Sequence, residues 1–300
     1  MQSRSALSAA ALLCAALWVA PTVFAADALL DTARIEQLTG LKGTLNQKEG
    51  VFKVSFPRKD IQATVAGVRM IPDLGLTAWA AFNRAGDHAM VMGDIVLLEN
   101  EVNPVMSAAL DSGLEVTALH NHFLWDSPKV MFMHIGGMGD EETIARAVGR
   151  VFEKLKEVIR TKPTPPTASI DPAKTSFDPE DIERALAATG VLNNGVYKVV
   201  LGRTAKMGEH EVGKEMGINT WAAFAGSGQL AAVDGDFAML ESEVQGVLKA
   251  LRGANINIVA IHNHMIGESP RYVFLHYWGV GPAEDLAKGL KAALDTQAGH

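Results

Sequence analysis

"AIHNHMIGESPRYVFLHYWGVG", Ala260 to Gly281, and "ALHNHFLWDSPKVMFMHIGGMG", Ala118 to Gly139, are two versions of one segment. Each holds a His-x-His pair and a third histidine further on, in an otherwise apolar run. They are His120, His122 and His134 in the first copy, and His262, His264 and His276 in the second. The offset of 142 holds without a gap from Leu76 to Asp140 against Ile218 to Pro282, with roughly 25 of 65 positions identical. "TAWAAF" (Thr77 to Phe82) meets "NTWAAF" (Asn219 to Phe224), and "MGDIVLLENEV" (Met92 to Val102) meets "DGDFAMLESEV" (Asp234 to Val244). Upstream, "GVFKVSFPR" (Gly50 to Arg58) resembles "GVYKVVLGR" (Gly195 to Arg203) at a slightly different offset. The fold is therefore made twice.

Composition marks the boundary between the copies. "TKPTPPTASIDPAKTSFDPED", Thr161 to Asp181, is rich in Pro, Ser and Thr, which is linker chemistry. The first repeat domain is placed over 26–160, the linker over 161–175 and the second domain over 176–300. The linker either runs extended in solvent or packs as a strap across both domains. Residues 1–25 read as a signal peptide. Arg4 supplies a positive start, Ala9 to Val19 an apolar core, and Val23-Phe24-Ala25 a small-residue cleavage site. Cys14 is the only cysteine and lies in that leader, so the mature chain has no thiolate for a soft metal.

Within each copy the order of elements is mixed. A short helix opens it, at Ala33 to Leu38 and at Pro179 to Ala188, the latter with Asp178 as N-cap. Strands follow at Val51–Phe56 and Tyr197–Leu201, then near Thr77–Asn83 and Met90–Leu98. "ESEVQGVLKALRGA" carries Val244, Val247, Leu248 and Leu251 at helical spacing. "INIVAI" leads as a buried strand into His262, "RYVFLHYWG" is the next strand, and "PAEDLAKGLKAALD" closes the copy as an amphipathic helix. The fold class is α+β: two tandem domains, each a mainly antiparallel sheet with helices on one face.

Residues two apart on a strand share a face, so each His-x-His pair projects its imidazoles side by side. That arrangement suits a divalent metal held through nitrogen, and the third histidine can close the site from the returning strand. Zinc is the first expectation. Glu99 and Glu241, at a strand-to-helix junction, are candidates for a fourth ligand or a catalytic base, or simply helix-N-terminal carboxylates. Asp126 and Glu268 are alternative fourth ligands. Asp94 and Asp236 follow glycine and read as turn residues. Trp79 and Trp221 read as core. Gly137 and Gly139, with Gly279 and Gly281, read as strand-to-helix turns. His262, His264 and Glu268 echo the cupin His-x-His-x3-Glu spacing, but cupins are all-β and here a helix precedes the pair.

Several functions are excluded or disfavoured. A net charge of −7 argues against nucleic acid as a main partner. No G-x-S-x-G or H-E-x-x-H occurs, and no stretch after the leader is long and apolar enough to cross a membrane. The segments "ALHNH" with "SPKVMFMH", and "AIHNHMIGESPRYVFLHYWGVG", resemble the LppY/LpqO family of exported bacterial proteins. That resemblance implies export and a repeated domain, and no established activity. The expectation is an exported envelope protein, periplasmic or secreted, with one divalent-metal site per repeat. It is either a metal-dependent hydrolase or a non-catalytic carrier of a metal or small-molecule ligand. The third reading is a structural module whose histidines only brace a hairpin.

Overall fold

The computed structural model describes residues 29–297, so the signal peptide expected over residues 1–25 lies outside the described residues. The first copy contributes β1 (Gly43–Asn46), β2 (Val51–Pro57), β3 (Thr77–Ala85), β4 (His88–Leu98), β5 (Glu115–Asn121) and β6 (Val130–Gly139). The second repeats them as β7 (Gly190–Asn193), β8 (Val196–Gly202), β9 (Asn219–Gly226), β10 (Ala231–Leu240), β11 (Asn257–His262) and β12 (Tyr272–Gly281). The two sets form one twelve-stranded sheet in the order β1-β2-β3-β4-β6-β5-β11-β12-β10-β9-β8-β7. Every pairing in it is antiparallel. β5 and β11 are the seam, and they meet through one registered pair, Leu119 with Ile261.

Helices cover one face, as the alternation of the strands requires. In β3, Ala78, Ala80 and Phe82 are buried, while Trp79 and Ala81 on the opposite face are only half-buried. α1 (Thr32–Thr39), α2 (Glu99–Asp111) and α3 (Glu141–Thr161) serve the first copy; α4 (Pro179–Leu186), α5 (Val244–Gly253) and α6 (Ala283–Leu294) serve the second. α3 buries Ile144, Val148, Val151, Phe152 and Leu155 along one stripe, the helical spacing of an amphipathic segment. One apolar cluster runs through both copies, from Ile35 to Leu294. Gly137 and Gly279 lie inside β6 and β12 rather than in turns. A Cβ at Gly279 would stand 2.8 Å from the Leu286 side chain, so the glycine lets α6 approach the sheet.

The opposite face carries two small three-stranded additions, of which one joins Ala205–Met207, His210–Val212 and Glu268–Ser269. A second small core of Ala205, Ile218, Ala238, Tyr272 and Phe274 lies under it. The Pro-rich segment between α3 and α4 packs against both copies. Asn100 Nδ2 donates to the Pro163 carbonyl at 2.8 Å, and the Ser176 amide donates to the Gly226 carbonyl at 2.8 Å. The segment is thus hydrogen-bonded near both ends, to α2 at Pro163 and to β9 at Ser176.

Candidate functional site

The face without helices carries all six repeated histidines, and the register of the sheet decides which residues join them. His276 on β12 stands directly opposite Asp236 on β10, and His134 on β6 opposite Asp94 on β4. His262 on β11 pairs with Phe274, and His120 on β5 with Phe132. The His-x-His strands and the returning strands are thus neighbours, and the third histidine stands opposite Ala260 or Ala118, two residues before the first histidine of the pair and on the same face. The register between them is unbroken; the β-bulges at Ile258/Ala260 and Val116/Ala118 lie beyond it, away from the connecting loop.

In the second copy the rings gather. His262 lies 5.2 Å from His264 and 4.9 Å from His276, between ring centroids. One ligating atom each from Asp236, His262 and His264 falls within 4.8 Å of the others. Asp236 Oδ2 is 3.2 Å from His264 Nε2. In the first copy His120 lies 5.1 Å from both His122 and His134. Phenylalanine forms a shelf in each copy: His264 stacks on Phe274 at 3.5 Å and His122 on Phe132 at 3.3 Å, both nearly parallel. Those shelves hold the second imidazole of each pair against rotation.

Main-chain carbonyls face the Nδ1 atoms. His264 Nδ1 is 3.2 Å from the Gly217 carbonyl, His276 Nδ1 is 3.3 Å from that of Gly235, and His262 Nδ1 is 3.5 Å from that of Asn263. With Nδ1 protonated each ring donates weakly to the backbone and leaves Nε2 as a lone pair. The rings are therefore both braced and convergent, which a purely structural role does not require. Burial holds the His262 and His122 imidazoles below their ordinary range, favouring the neutral form that ligates.

Asp236 is the residue the sequence reading missed. Gly93-Asp94 and Gly235-Asp236 are not turns but the middles of β4 and β10. A Cβ at Gly235 would lie 2.1 Å from the Tyr277 hydroxyl, so glycine makes room for the tyrosine that crosses the strand there. Asp236 is almost fully buried. Burial pushes its carboxyl up to about 6, against the pull of His276 and His264 and the Leu275 amide. Buried Asp236 Oδ1, His262 Nε2 and Asp94 Oδ1 have no hydrogen-bond partner. An unpaired buried polar atom costs about 1–3 kcal/mol, so the closeness of Asp236 and His262 in the second copy points to an occupant there. The signal available in the sequence was a Gly-Asp pair flanked on both sides by strand-forming residues, at matched positions of both copies.

Glu99, Glu241, Asp126 and Glu268 are not in the group whose ligand atoms lie within 4.8 Å, although Asp126 Oδ1 and Glu268 Oε2 are also buried without a partner. Glu99 begins α2 and is exposed; Glu241 is exposed at the matching junction, 3.8 Å from Arg271. Both follow a strand end four residues past the Asp–His pair, roughly 13 Å along the strand. Asp126 Oδ2 accepts from the Val130 amide at 2.7 Å and Glu268 Oε1 from the Tyr272 amide at 3.1 Å, so each acid closes the loop before the returning strand. Trp79 and Trp221 are not core. They are half-buried beside Asp94 and Asp236, with Lys53 and Lys198 over their rings at 4.0 and 4.2 Å. A cavity of about 1000 Å³ opens where β5 and β11 part, with His120, His262 and Glu99 on its wall.

No curated protein matches the chain. A solved structure, the trimeric bacterial microcompartment shell protein PduB, aligns over 85% of this chain and 89% of that chain at 12% identity. Its TM-score is 0.20, too low to carry any inference. No helix among the described residues is long and apolar enough to cross a membrane. Residues 33–154 and 180–296 each match one family model, and the chain belongs to that family, described as Domain of Unknown Function (DUF1259), in two tandem copies.

Proposed function

We propose that this protein binds divalent transition-metal ions, one in each repeat, through His262, His264, His276 and Asp236 and through His120, His122, His134 and Asp94. The observation that carries the reading is the buried, unpartnered Asp236 Oδ1 and His262 Nε2 in the second copy, where one ligating atom each of Asp236, His262 and His264 lies within 4.8 Å of the others; among the described residues His276 and the first copy's residues do not meet that spacing. Three imidazoles and one carboxylate are a nitrogen-and-oxygen donor set suited to zinc, the first candidate. The ligand atoms of Asp236, His262 and His264 would hold such an ion. The similarity of the histidine segments to LppY/LpqO proteins supports a location outside the cytoplasm, periplasmic or secreted.

The test is elemental analysis and metal titration of purified protein. Wild type should retain up to two ions per chain. His262→Ala with His264→Ala should lose one of them, and Asp236→Asn should weaken the same site by about 10–100-fold, the scale of losing an orienting or ligating partner. Equal and negligible metal in wild type and variants would refute the reading.

A second reading, metal-dependent hydrolysis, is favoured by one observation: Glu99 lines the same cavity as His120. A bound divalent ion supplies Lewis acidity there. Glu99 follows a strand end roughly 13 Å from Asp94, so it is the candidate general base for a substrate group that reaches it across the cavity and not for water beside the ligands. Glu241 holds the matching position but faces Arg271. Glu99→Gln should abolish turnover of a model ester while leaving metal content unchanged; activity that survives the change removes Glu99 from the chemistry.

A further inference from the structure

The seam between the copies is bonded at one pair, and beyond it β11 takes its partners from a helix. Asn103 of α2 accepts from the Ile258 amide at 2.8 Å and donates to the Ile258 carbonyl at 3.2 Å. The strands part there and leave the cavity of about 1000 Å³, at the upper end of small-molecule sites. Its wall departs from the repeat. Arg252, Trp278 and Val259 stand where the offset of 142 puts Leu110, Gly136 and Thr117 in the first copy. A duplicated scaffold has thus acquired a cation and two apolar side chains on one side only.

Arg252 is the telling member. Its Nε donates to Ser107 Oγ at 3.1 Å, and its Nη1 to the Ile256 carbonyl at 2.8 Å and Asn257 Oδ1 at 3.1 Å. All three acceptors are neutral, and no carboxylate pairs with it among the described residues. The other two deeply placed arginines are paired: Arg58 with Asp60 and Glu101, Arg203 with Glu243. Burial alone acts on the Arg252 guanidinium, lowering its pKa with nothing to offset it. A half-buried cation without a counter-charge on a cavity wall is short of an anion. Lys129 adds a second positive charge to the wall and Glu99 one negative charge. Trp278 and Val259 leave 43% and 47% of their surfaces exposed, an apolar surface beside the cation.

We propose that this cavity binds a small organic anion with one acidic head group and a flat apolar body, the head held by Arg252 and the body against Trp278 and Val259. His120 and His262 also line the cavity, but the three residues the proposal uses, Arg252, Trp278 and Val259, are not among the metal ligands, so it stands whether or not the repeats bind metal. It is tested on full-length protein stripped with chelator, so that no probe can coordinate an ion. The probes are 2-naphthoate, 2-naphthyl phosphate and the neutral 2-naphthamide, followed by calorimetry and tryptophan fluorescence.

The expected result is one anion site per chain, with naphthoate or naphthyl phosphate at least tenfold tighter than the amide. The tighter anion identifies the head group as carboxylate or phosphate. Arg252→Gln should bring the anion down to the amide's affinity, and Trp278→Gly should weaken all three probes together. Equal binding of acid and amide by wild type overturns the proposal without recourse to any variant, as does wild-type affinity in a folded Arg252→Gln protein.

Discussion

Asp236 sits in mid-strand with burial pressing its carboxyl towards protonation and two imidazoles pressing it the other way. Such a residue is invisible to local rules, because Gly-Asp in isolation signals a turn. Of each His-x-His pair only His262 and His120 lie in strands; His264 and His122 follow the strand ends and are set by stacking on Phe274 and Phe132 instead of by a period of two. The histidines were legible all the same from their repeated spacing. The aspartate was not, because it joins them only through the β10–β12 register, which no local pattern fixes. Removing protons is part of filling such a site: imidazole ligates only when neutral. Bound metal should therefore be released on acidification, at a pH below about 6.5 because burial already holds His262 and His122 under the ordinary histidine value and the ion competes with the proton. Retention of the full complement at about pH 3 in a dialysis experiment would argue against imidazole ligation.

Another buried acid shows the opposite balance. Burial works to raise Glu243, but hydrogen bonds from Arg203 and the Leu240 amide outweigh it and hold its carboxyl below the ordinary range. Arg203 Nη1 also donates to the Ala238 carbonyl at 3.2 Å, so the pair ties the start of α5 to β10. Arg58, Glu101 and the Val96 carbonyl do the same for α2 and β4. Glu243→Gln leaves Arg203 uncompensated and should cost about 3–5 kcal/mol at neutral pH. A depressed carboxylate stabilises the fold above its unfolded value, near 4.5 here, and loses that contribution as pH falls through the folded one. The gap in urea midpoint between wild type and variant should accordingly be wide at pH 7 and narrow on acidification below about pH 4.5.

At the scale of elements, the strands and helices lay close to where alternation and helical spacing put them. Val51–Pro57, Thr77–Ala85 and Pro179–Leu186 differ from the expectation by two residues or fewer at each end. The short outer strands β1 and β7 went unread, because four residues flanked by turns carry too little periodicity. Glycine inside a strand was the other weak point. Gly235 looks like a break, yet it is where Tyr277 crosses to donate to the Trp221 carbonyl at 2.9 Å. Gly235→Ala drives a Cβ to within 2.1 Å of that hydroxyl and 2.3 Å of that carbonyl. It should destabilise by about 1–3 kcal/mol and disturb the neighbouring Asp236, read as a lower melting temperature together with weakened metal binding.

At the scale of the molecule, duplication and an α+β architecture were readable, and fusion of the two sheets was not. The repeat pattern is satisfied equally by two separate sheets, and one bridging pair between β5 and β11 leaves no mark in composition. The helices show how the fusion is made. Asn103 of α2 bonds the backbone of Ile258, and Gln245 of α5, its counterpart by the 142 offset, bonds both the amide and carbonyl of Val116. Each copy thus finishes the other's edge strand. With the apolar cluster continuous across the join, calorimetry should give one cooperative unfolding transition. The second copy expressed alone, residues 176–300, should associate through an open β11 edge and not remain a stable monomer, as light scattering would show.

The single bridge at Leu119 and Ile261 also has an electrostatic consequence. It makes His120 and His262 diagonal neighbours, roughly 7–8 Å apart across the join. Two doubly charged ions held on either side at about 10 Å repel by about 1–2 kcal/mol at the permittivity of water. The first ion to enter therefore handicaps the second by about tenfold. That antagonism should fade as added salt shortens the screening distance below their separation.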